Sequence, residues 1–309
     1  MMYNPYGSGG VPQNVFCLKA DYVESSHANN TGVAKFINDC LYDTKTPSQL
    51  ENPNCRTTIN GFPIELYVNG EYLGVYNFNY DRYSYKPYGY DYVKNPNMLV
   101  YEINSNSNTS AGAFYKYGDN AESSANVTEL EYYKRDFNLI YGNRTADSDT
   151  YSEVKELVRW VSVAERDLFR ETISEHFNKE YLFRYYLMVL FIGAVDSLGK
   201  NMKINTWDGR IWYPTFYDLD TVLGIDNSGY LTIPSDVEIE AGSYNTSNSN
   251  LWTKVWDYFN VEIKEEWSKM RQDRFTLDNL MSYIYGEQIS KIPPKLYNDD
   301  KELSSINPF

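Results

Sequence analysis

The chain has very few residues of the types that build the commonest enzyme sites. Its 309 residues include only two histidines, His27 and His176. A Ser-His-Asp triad, a Cys-His pair and a His-rich metal site are therefore poorly supplied. The three cysteines, Cys17, Cys40 and Cys55, contain no CxxC pair, and their odd number leaves at least one unpaired. The sequence indicates neither a disulfide framework nor a zinc centre.

Segments that enter membranes and glycine-rich phosphate loops are also missing. Residues 1–15 have neither a basic stretch nor an apolar run, so we expect no signal peptide there. The longest apolar run, Leu187 to Val195, is far too short to cross a bilayer. Neither GxxxxGK[ST] nor GxGxxG occurs. Any phosphoryl chemistry would need a different kind of site.

Positive charge is scarce as well. Lysine and arginine total 28 against 42 acidic residues, which gives a formal net charge of −14. This balance argues against nonspecific binding to nucleic acid or to an anionic membrane. ATP is itself a polyanion, so an acidic protein would need Mg²⁺ and a few well-placed cations to hold it.

Tyrosine is the residue type in unusual abundance, with 31 copies in the chain. Its apolar ring and polar tip suit half-exposed surfaces and interfaces. A chain rich in tyrosine and asparagine and poor in lysine is typical of an extracellular, spore-surface or virion protein. We therefore expect one of these locations rather than the cytosol.

The hydrophobic pattern predicts an α+β fold. Alternating apolar residues on both sides of Asn69-Gly70 are the clearest signal, because this dipeptide favours the tight turn of a β-hairpin. Apolar residues at helical spacing indicate helices elsewhere. In chain order, we predict a strand at 15–23, a helical face at 33–41, a hairpin at 64–76, helices at 154–161 and 182–192, a hairpin at 202–217 and helices within 251–289.

Chemically useful residues concentrate between positions 196 and 224. Asp196 stands where a predicted buried helix ends, and Asn201 follows five positions later. A predicted hairpin then returns to Asp218 and Asp220 at the end of its second strand. In kinases, a loop aspartate accepts the proton of the substrate hydroxyl, while an asparagine and a later aspartate hold Mg²⁺. The spacing therefore favours a phosphoryl-transfer site.

Purely structural roles for these residues stay open at this point. Asp218 and Asp220 also suit helix caps, turn positions or a structural Ca²⁺ site. Two unpaired like charges on one strand face are costly, so the pair needs a partner in any case. Lys19 lies mid-strand, where it either faces a cleft and pairs with phosphates or is simply solvated.

The same stretches resemble the spore-coat kinase (CotH) family, an atypical branch of the protein-kinase fold. The resemblance extends over about Val15 to Ile292. The matching segments are LKADYVESS at 18–26, ELYVNGEYLGVYNF at 65–78, DSLGKNMKI at 196–204 and FYDLDTVLG at 216–224. The NGEYLG hairpin and the ordered series of Asp, Lys-Asn and Asp-Leu-Asp carry it.

The resemblance implies an enzyme that uses ATP and Mg²⁺ to phosphorylate serine or threonine on coat or surface proteins. It also implies a role for individual positions of this chain. The residues concerned are Lys19 and Glu24 for the nucleotide, Asp196 as the catalytic base, and Asn201, Asp218 and Asp220 for the metal.

A two-lobe architecture is the fold that this resemblance implies. Residues 1–103 would form a small β-rich N-lobe, and 104–129 a polar linker or insertion. Residues 130–309 would form a larger helical C-lobe with the catalytic loop and the metal-binding hairpin. The family has a β-rich stretch upstream of its lysine strand that this sequence does not contain, so we expect an N-terminal truncation.

Three functions remain open on the sequence alone. The first is a CotH-like protein Ser/Thr kinase that acts on coat or surface proteins. The second is a catalytically inactive CotH-like module of a phage virion, spore coat or cell surface, which the tyrosine-rich acidic composition favours. The third is a Ca²⁺-stabilised carbohydrate-binding surface. The expected partner is a protein substrate or a coat or virion component, with no nucleic acid and no membrane span.

Overall fold

The computed structural model describes residues 2–104, 114, 133, 136–143, 151–225, 228–231 and 249–306. The strands are β1 (Phe16–Lys19), β2 (Gly61–Val68), β3 (Glu71–Tyr80), β4 (Leu99–Asn104), β5 (Phe137–Gly142), β6 (Lys200–Thr206) and β7 (Trp212–Phe216). The helices are α1 (Asn29–Cys40), α2 (Pro47–Glu51), α3 (Ser152–Val163), α4 (Arg166–His176), α5 (Lys179–Ile192), α6 (Asn250–Arg271), α7 (Leu277–Met281) and α8 (Pro294–Ile306).

The strands form two antiparallel sheets. The first has the order β1-β3-β2 and the second the order β5-β4-β6-β7. Helices separate and follow the strands along the chain. The α+β prediction is confirmed.

The hairpin predicted at Asn69-Gly70 is present. Asn69 has φ 53° and Gly70 has φ 88°, so both turn residues lie in the left-handed region. A two-residue turn of this kind matches the right-handed twist of the strands it joins. Val68 pairs with Glu71 directly across the turn, as the sequence predicts.

Strand β1 is shorter than the predicted 15–23. It ends at Lys19, which pairs with Asn77 on β3. Two residues later Asp21 has φ 45°, which turns the chain out of the sheet. Lys19 is therefore the last residue of an edge strand, where its side chain can reach beyond the sheet.

The second predicted hairpin is also present, with two differences. Residues 207–211 connect its strands, so the turn is longer than an Asp-Gly pair. In that loop Asp208 Oδ1 accepts the backbone N–H groups of Arg210 and Ile211 at 2.8 and 2.9 Å. Strand β7 ends at Phe216, so Asp218 and Asp220 follow the strand and do not lie on it.

The predicted helices are confirmed and supply a large part of the core. Helix α5 is buried along nearly its whole length, and its Tyr185 ring stacks on Phe216 of β7 at 4.2 Å. The helical region predicted at 251–289 is divided, since α6 ends at Arg271 and α7 begins at Leu277. No helix among the described residues is long and apolar enough to cross a membrane.

The proposed lobe boundary lies close to strand β4. This strand belongs to the predicted N-lobe region, yet it pairs with both β5 and β6 in the second sheet. The polar segment predicted at 104–129 lies outside the described residues except for its two positions Asn104 and Phe114. The division into lobes stays a prediction.

Helix α8 is attached to the first sheet through Asp300. The Asp300 carboxylate accepts the backbone N–H of Val75 at 2.8 Å and lies 2.8 Å from Nε2 of His27. Burial alone would lower the pKa of His27, but Asp300, the carbonyl of Ala20 and the charge of Asp21 together raise that pKa above its usual value. Burial would raise the pKa of Asp300, but the His27 contact holds it below its usual range.

We expect the attachment of α8 to weaken as the pH rises above neutrality. A raised histidine pKa means that the pair stabilises fully below about pH 6.5 and is lost as the pH rises through the raised value. The protection of the α8 amides against exchange should therefore fall over the same pH range. Amide hydrogen exchange in α8, corrected for the intrinsic rate, measures it. Asp300→Asn keeps an acceptor for Val75 but loses the charge, so an unchanged pH dependence in that variant contradicts the assignment.

Candidate active site

The segment that carries Asp196 is held in place from two helices. It forms a 3₁₀ turn, Val195–Leu198, that comes just after α5. Tyr185 donates its hydroxyl to the carbonyl of Ser197 at 2.6 Å, and Trp252 donates its indole N–H to the carbonyl of Leu198 at 2.8 Å. Both donors are buried, so the turn has a fixed position. Asp196 is thereby presented on a rigid backbone.

The Asp196 side chain itself is partly exposed. Its Oδ2 lies 3.0 Å from Nζ of Lys200, and 34% of the side chain is accessible. A carboxylate that is anchored through its backbone and open to solvent can accept a proton from an incoming hydroxyl. Lys200 adds a positive charge beside it.

Asn201 stands at the open end of the β6–β7 hairpin. Met202 and Phe216 are the last pair of the hairpin at that end, Asn201 directly precedes Met202, and Asp218 follows Phe216 by two positions. Asn201 has φ 52°, a left-handed conformation that asparagine tolerates better than most residues. The hairpin therefore returns Asp218 to the end at which Asn201 lies, as the spacing predicts.

Lys19 contacts both aspartates of the predicted metal pair. Its Nζ lies 2.6 Å from Asp218 Oδ1 and 3.2 Å from Asp220 Oδ2. The lysine ends a strand of the first sheet, whereas the aspartates follow the last strand of the second. The structure thus brings together three of the residues that the sequence singles out, across a separation of 199 positions.

A third carboxylate, Asp21, belongs to the same cluster and was not identified from the sequence. Its Oδ1 lies 3.4 Å from Nζ of Lys19, and its side chain is almost fully buried. Asn77, opposite Lys19 on β3, donates to the other carboxylate oxygen. Asp21 follows Lys19 by two positions in the LKAD segment, and this short separation in sequence could have identified it.

The cluster has more negative than positive charge. One lysine faces three carboxylates, Asp21, Asp218 and Asp220. Burial alone would lower the pKa of Lys19, but these carboxylates raise it above its ordinary value. Burial raises the pKa of Asp218, Lys19 opposes this, and the neighbouring Asp220 adds to it. A divalent cation would relieve that excess charge.

Asn30 connects helix α1 to the cluster. Its side-chain oxygen accepts the backbone N–H of Leu219 at 3.1 Å, and its Nδ2 donates to Asp21 Oδ1 at 3.2 Å. Asn30 is 1% exposed, so water does not replace these bonds easily. The side-chain amide of Asn30 therefore fixes both Asp21 and the backbone between Asp218 and Asp220.

We predict that Asn30 is a positioning residue for the cluster. Asn30→Ala leaves the buried N–H of Leu219 without its side-chain acceptor and removes the amide donor of Asp21, which keeps Lys19 as a partner. We expect this to cost about 1–3 kcal/mol of unfolding free energy. Displacement of the reacting groups should lower the rate of any phosphoryl transfer about 10- to 100-fold. Initial rates at saturating nucleotide, well below the melting temperature, measure the effect.

Asn29→Ala is the matched control for this prediction. Asn29 is the adjacent residue on α1 and is also buried, but its amide nitrogen has no described hydrogen-bond partner. We expect this variant to retain most of the rate. Equal losses in the two variants would show that Asn30 contributes only to stability.

Glu24, which the resemblance assigns to the nucleotide lysine, lies elsewhere. Its carboxylate accepts the backbone N–H groups of Ser26, Ala28 and Asn29 at 2.7, 2.8 and 3.1 Å. It thus satisfies free N–H groups at the start of α1, where a negative charge is favourable. The structure does not bring Glu24 into an ion pair with Lys19, and Asp21 has that place.

The chain beyond Asp220 returns to the end of α5. Leu223 donates its backbone N–H to the carbonyl of Ile192 at 2.6 Å. Gly193, with φ 67°, ends that helix in the left-handed conformation that glycine adopts most easily. The Asp218–Asp220 segment is therefore fixed at both ends, by β7 before it and α5 after it.

The donor set suits a metal that is shared with a nucleotide. Among the described residues, no group of three or more His, Cys, Asp or Glu side chains is arranged to hold a metal ion. Mg²⁺ commonly binds one or two carboxylates together with substrate phosphates and water, rather than an all-protein cage. Asp218, Asp220 and the amide oxygen of Asn201 are ligands of that kind. The residues present therefore fit Mg²⁺ with a bound nucleotide.

Comparison with known proteins gives one family. A family model described as CotH kinase protein matches residues 48–307. No curated protein matches the chain. Asp196, Asn201, Asp218 and Asp220 lie inside the matched range, whereas Lys19, Asp21 and Asn30 precede it. Since the match covers most of the chain, this protein belongs to the CotH kinase protein family.

Proposed function

We propose that this protein is a phosphotransferase that uses ATP and Mg²⁺ and acts on serine or threonine of surface or coat proteins. The observation that carries the proposal is the contact of Lys19 with Asp218 and Asp220. A lysine at the end of one sheet and an aspartate pair after the hairpin of the other have the placement that kinase chemistry requires. Membership of the CotH kinase protein family supports the same chemistry.

Each residue has a distinct role in this proposal. Lys19 binds phosphate oxygens of the nucleotide, and Asp218 holds Mg²⁺ together with Asn201. Asp220 is the second carboxylate for the metal. Asp196 accepts the proton of the attacking hydroxyl, and Lys200 lies beside it. The bound Mg²⁺ supplies charge compensation on the β- and γ-phosphates.

The contacts of Lys19 also indicate how the site accepts its ligands. Without nucleotide, the lysine neutralises part of the charge of Asp218 and Asp220. A nucleotide offers phosphate oxygens to the lysine, and a metal ion offers positive charge to the carboxylates. Each group therefore exchanges one ionic partner for another, and neither is left unpaired and buried. Asp21 keeps its own contact with the lysine during the exchange.

Transfer of labelled γ-phosphate tests the proposal. The protein should incorporate label into itself or into a generic acceptor such as casein when Mg²⁺ is present. Chelation with EDTA should stop the incorporation. If the folded protein neither transfers phosphate in the presence of Mg²⁺ nor binds ATP, the proposal is contradicted.

A second candidate is a catalytically inactive module of a spore coat, virion or cell surface. The observation that favours it is that the Lys19 cluster is already internally paired, as in a purely structural ion-pair network. Exposed tyrosines, among them Tyr22, Tyr67 and Tyr83, suit a contact surface. ATP would then have no effect on the melting temperature, and Asp196→Asn would leave assembly unchanged.

A further inference from the structure

A cavity of about 520 Å³ lies on a part of α1 that is separate from the Lys19 cluster. Its walls come from α1, from the start of β2, from the turn at 282–286 and from residues 5–9. The residues that matter to its chemistry are Tyr6, Lys35, Arg56, Asn60, Phe62 and Tyr283. A volume of this size is sufficient for a small organic ligand.

Arg56 gives the cavity a cation that lacks an acidic partner. Its side chain makes one described hydrogen bond, from Nη2 to the carbonyl of Gly9 at 3.2 Å. No carboxylate of the described residues lies within ion-pair distance of it, and its Nε is shielded from solvent without an acceptor. Burial lowers the pKa of Arg56. In a chain of net charge −14, an unpaired arginine in a cavity is unexpected.

Lys35 adds a second positive charge to the same cavity. Burial lowers the pKa of Lys35, Glu287 opposes this, and the charge of Arg56 lowers it further. The Nζ lies 3.2 Å from Glu287, whose side chain is 53% exposed. The two cations are therefore close enough to repel each other, and an anion between them would remove that repulsion.

Asn60 supplies a neutral donor. It is 5% exposed and lines the cavity, yet its side-chain amide makes no hydrogen bond with a described residue. Buried amides are normally hydrogen-bonded, so this one has donor and acceptor capacity left for a ligand. Two acidic residues also line the cavity, and both have partners. Asp39 accepts hydrogen bonds from Arg274 and, at 2.9 Å, from Asn279, and Glu287 is paired with Lys35.

We propose that this cavity binds a small phosphate monoester. Arg56, Lys35 and the amide of Asn60 provide charged and neutral donors for the phosphate oxygens. Two neighbouring cations favour a dianion over a monocarboxylate. The rings of Tyr6, Phe62 and Tyr283 offer an apolar surface to the esterified group. The proposal is independent of whether ATP binds at Lys19.

Calorimetric titration without Mg²⁺ tests the proposal with three probes. These are phenyl phosphate, ribose 5-phosphate and benzoate. At least one phosphate ester should bind in the millimolar range or tighter, and benzoate at least about tenfold more weakly. Tighter binding of phenyl phosphate identifies an aromatic ester as the ligand class, and tighter binding of ribose 5-phosphate identifies a sugar ester. Failure of both esters to exceed benzoate overturns the proposal.

Comparison of Arg56→Gln with Arg159→Gln distinguishes binding of the ester in this cavity from a general effect of removing one positive charge. Arg159 is an exposed arginine on α3, so its replacement removes the same charge elsewhere. Arg56→Gln should weaken ester binding about 10- to 100-fold, and Arg159→Gln less than about twofold. Binding that survives in Arg56→Gln would place the ester elsewhere and overturn the proposal.

The melting temperature shows that a loss of binding in Arg56→Gln is not a loss of fold. In phosphate-free buffer this variant should melt no lower than wild type, because it removes a desolvated cation without a carboxylate partner. Phenyl phosphate should raise the melting temperature of wild type and of Arg159→Gln, but not of Arg56→Gln. If Arg56→Gln melts lower and does not bind the ester, a second variant, Lys35→Gln, is tested. An unchanged ester affinity in Lys35→Gln overturns the proposal.

Discussion

Replacing Asp218 with asparagine is expected to lower the rate of phosphoryl transfer at least about 10³-fold. The asparagine keeps the size of the side chain but removes the charge that faces Lys19 at 2.6 Å and that would hold Mg²⁺. Loss of a metal ligand removes several kcal/mol of charge stabilisation in the transition state. Initial rates of incorporation of labelled phosphate measure the effect.

Two further aspartates make this prediction specific. Asp208→Asn is the control, because Asp208 belongs to the loop at the other end of the same hairpin, and its hydrogen bonds with described residues are to Thr206, Arg210 and Ile211 in that loop. Its rate should stay within about twofold of wild type. Asp220, at 3.2 Å from Lys19 against 2.6 Å for Asp218, should give a smaller loss when it becomes asparagine. More than a tenth of the wild-type rate in Asp218→Asn would contradict the assignment.

Replacing Lys19 with methionine is expected to change both stability and nucleotide affinity. Asp21, Asp218 and Asp220 would then face one another without the cation that compensates them. Removal of one partner from a largely buried ionic cluster costs roughly 3–5 kcal/mol of unfolding free energy. Because Lys19 is partly exposed, we expect a smaller loss of about 2–3 kcal/mol. Denaturant unfolding at about pH 8 measures it.

The sign of the pH dependence identifies the cause of that loss. Burial already raises the pKa of Asp218, and removal of Lys19 takes away the main effect that opposes this. A carboxylate with a raised folded pKa stabilises fully below its unfolded pKa of about 3.9, and this stabilisation is lost as the pH rises through the folded value. The deficit of Lys19→Met should therefore shrink as the pH falls from about 8 to 5, provided the fold persists.

Mg²⁺ and a second lysine complete the Lys19 experiment. Mg²⁺ should restore part of the stability of Lys19→Met, since it can compensate the same carboxylates. ATP affinity should fall at least about tenfold, because a charge-assisted bond to phosphate is lost. Lys301→Met, an exposed change on α8, should alter neither quantity. A Lys19→Met deficit that is independent of pH and Mg²⁺ would mean that the cluster carries no excess charge.

The local elements of the fold were predictable because their signals are local. Asn69-Gly70 determines its hairpin through two left-handed residues. The ends of β6 and β7 were harder to predict from the sequence, because the end of each strand depends on its pairing with the other. Asn201 has a positive φ and directly precedes Met202, the first residue of β6 that pairs with β7. The β6–β7 ladder therefore ends at Met202 and Phe216. Asp218 therefore follows the strand.

The composition of the cluster shows where sequence reasoning stops. Lys19, Asp218 and Asp220 could be identified from the sequence because they occur in the order of a kinase-like site. Their contact nevertheless spans 199 positions. Asn30 had no local signal, since its role depends on a bond to Leu219 that spans 189 positions. The resemblance calls for a glutamate beside Lys19, and Glu24 was the nearest candidate in sequence. In the structure its carboxylate accepts backbone N–H groups at the start of α1.

The charge of the cluster connects the structure to the proposed activity. One lysine among three carboxylates leaves an excess of negative charge that a divalent metal ion can compensate, while the lysine is a partner for nucleotide phosphates. The same pairing, without ligands, also gives a stable inactive module. Binding of metal and nucleotide is therefore the property that separates the two candidate functions.

Isothermal titration of the wild-type protein with ATP, in the presence and absence of Mg²⁺, tests the central claim most directly. The account predicts one nucleotide per chain, bound only when Mg²⁺ is present, and no binding by Asp218→Asn at the same concentrations. Binding that is equally strong without Mg²⁺, or that is unaffected in Asp218→Asn, would contradict it, as would the absence of any binding to the folded wild type.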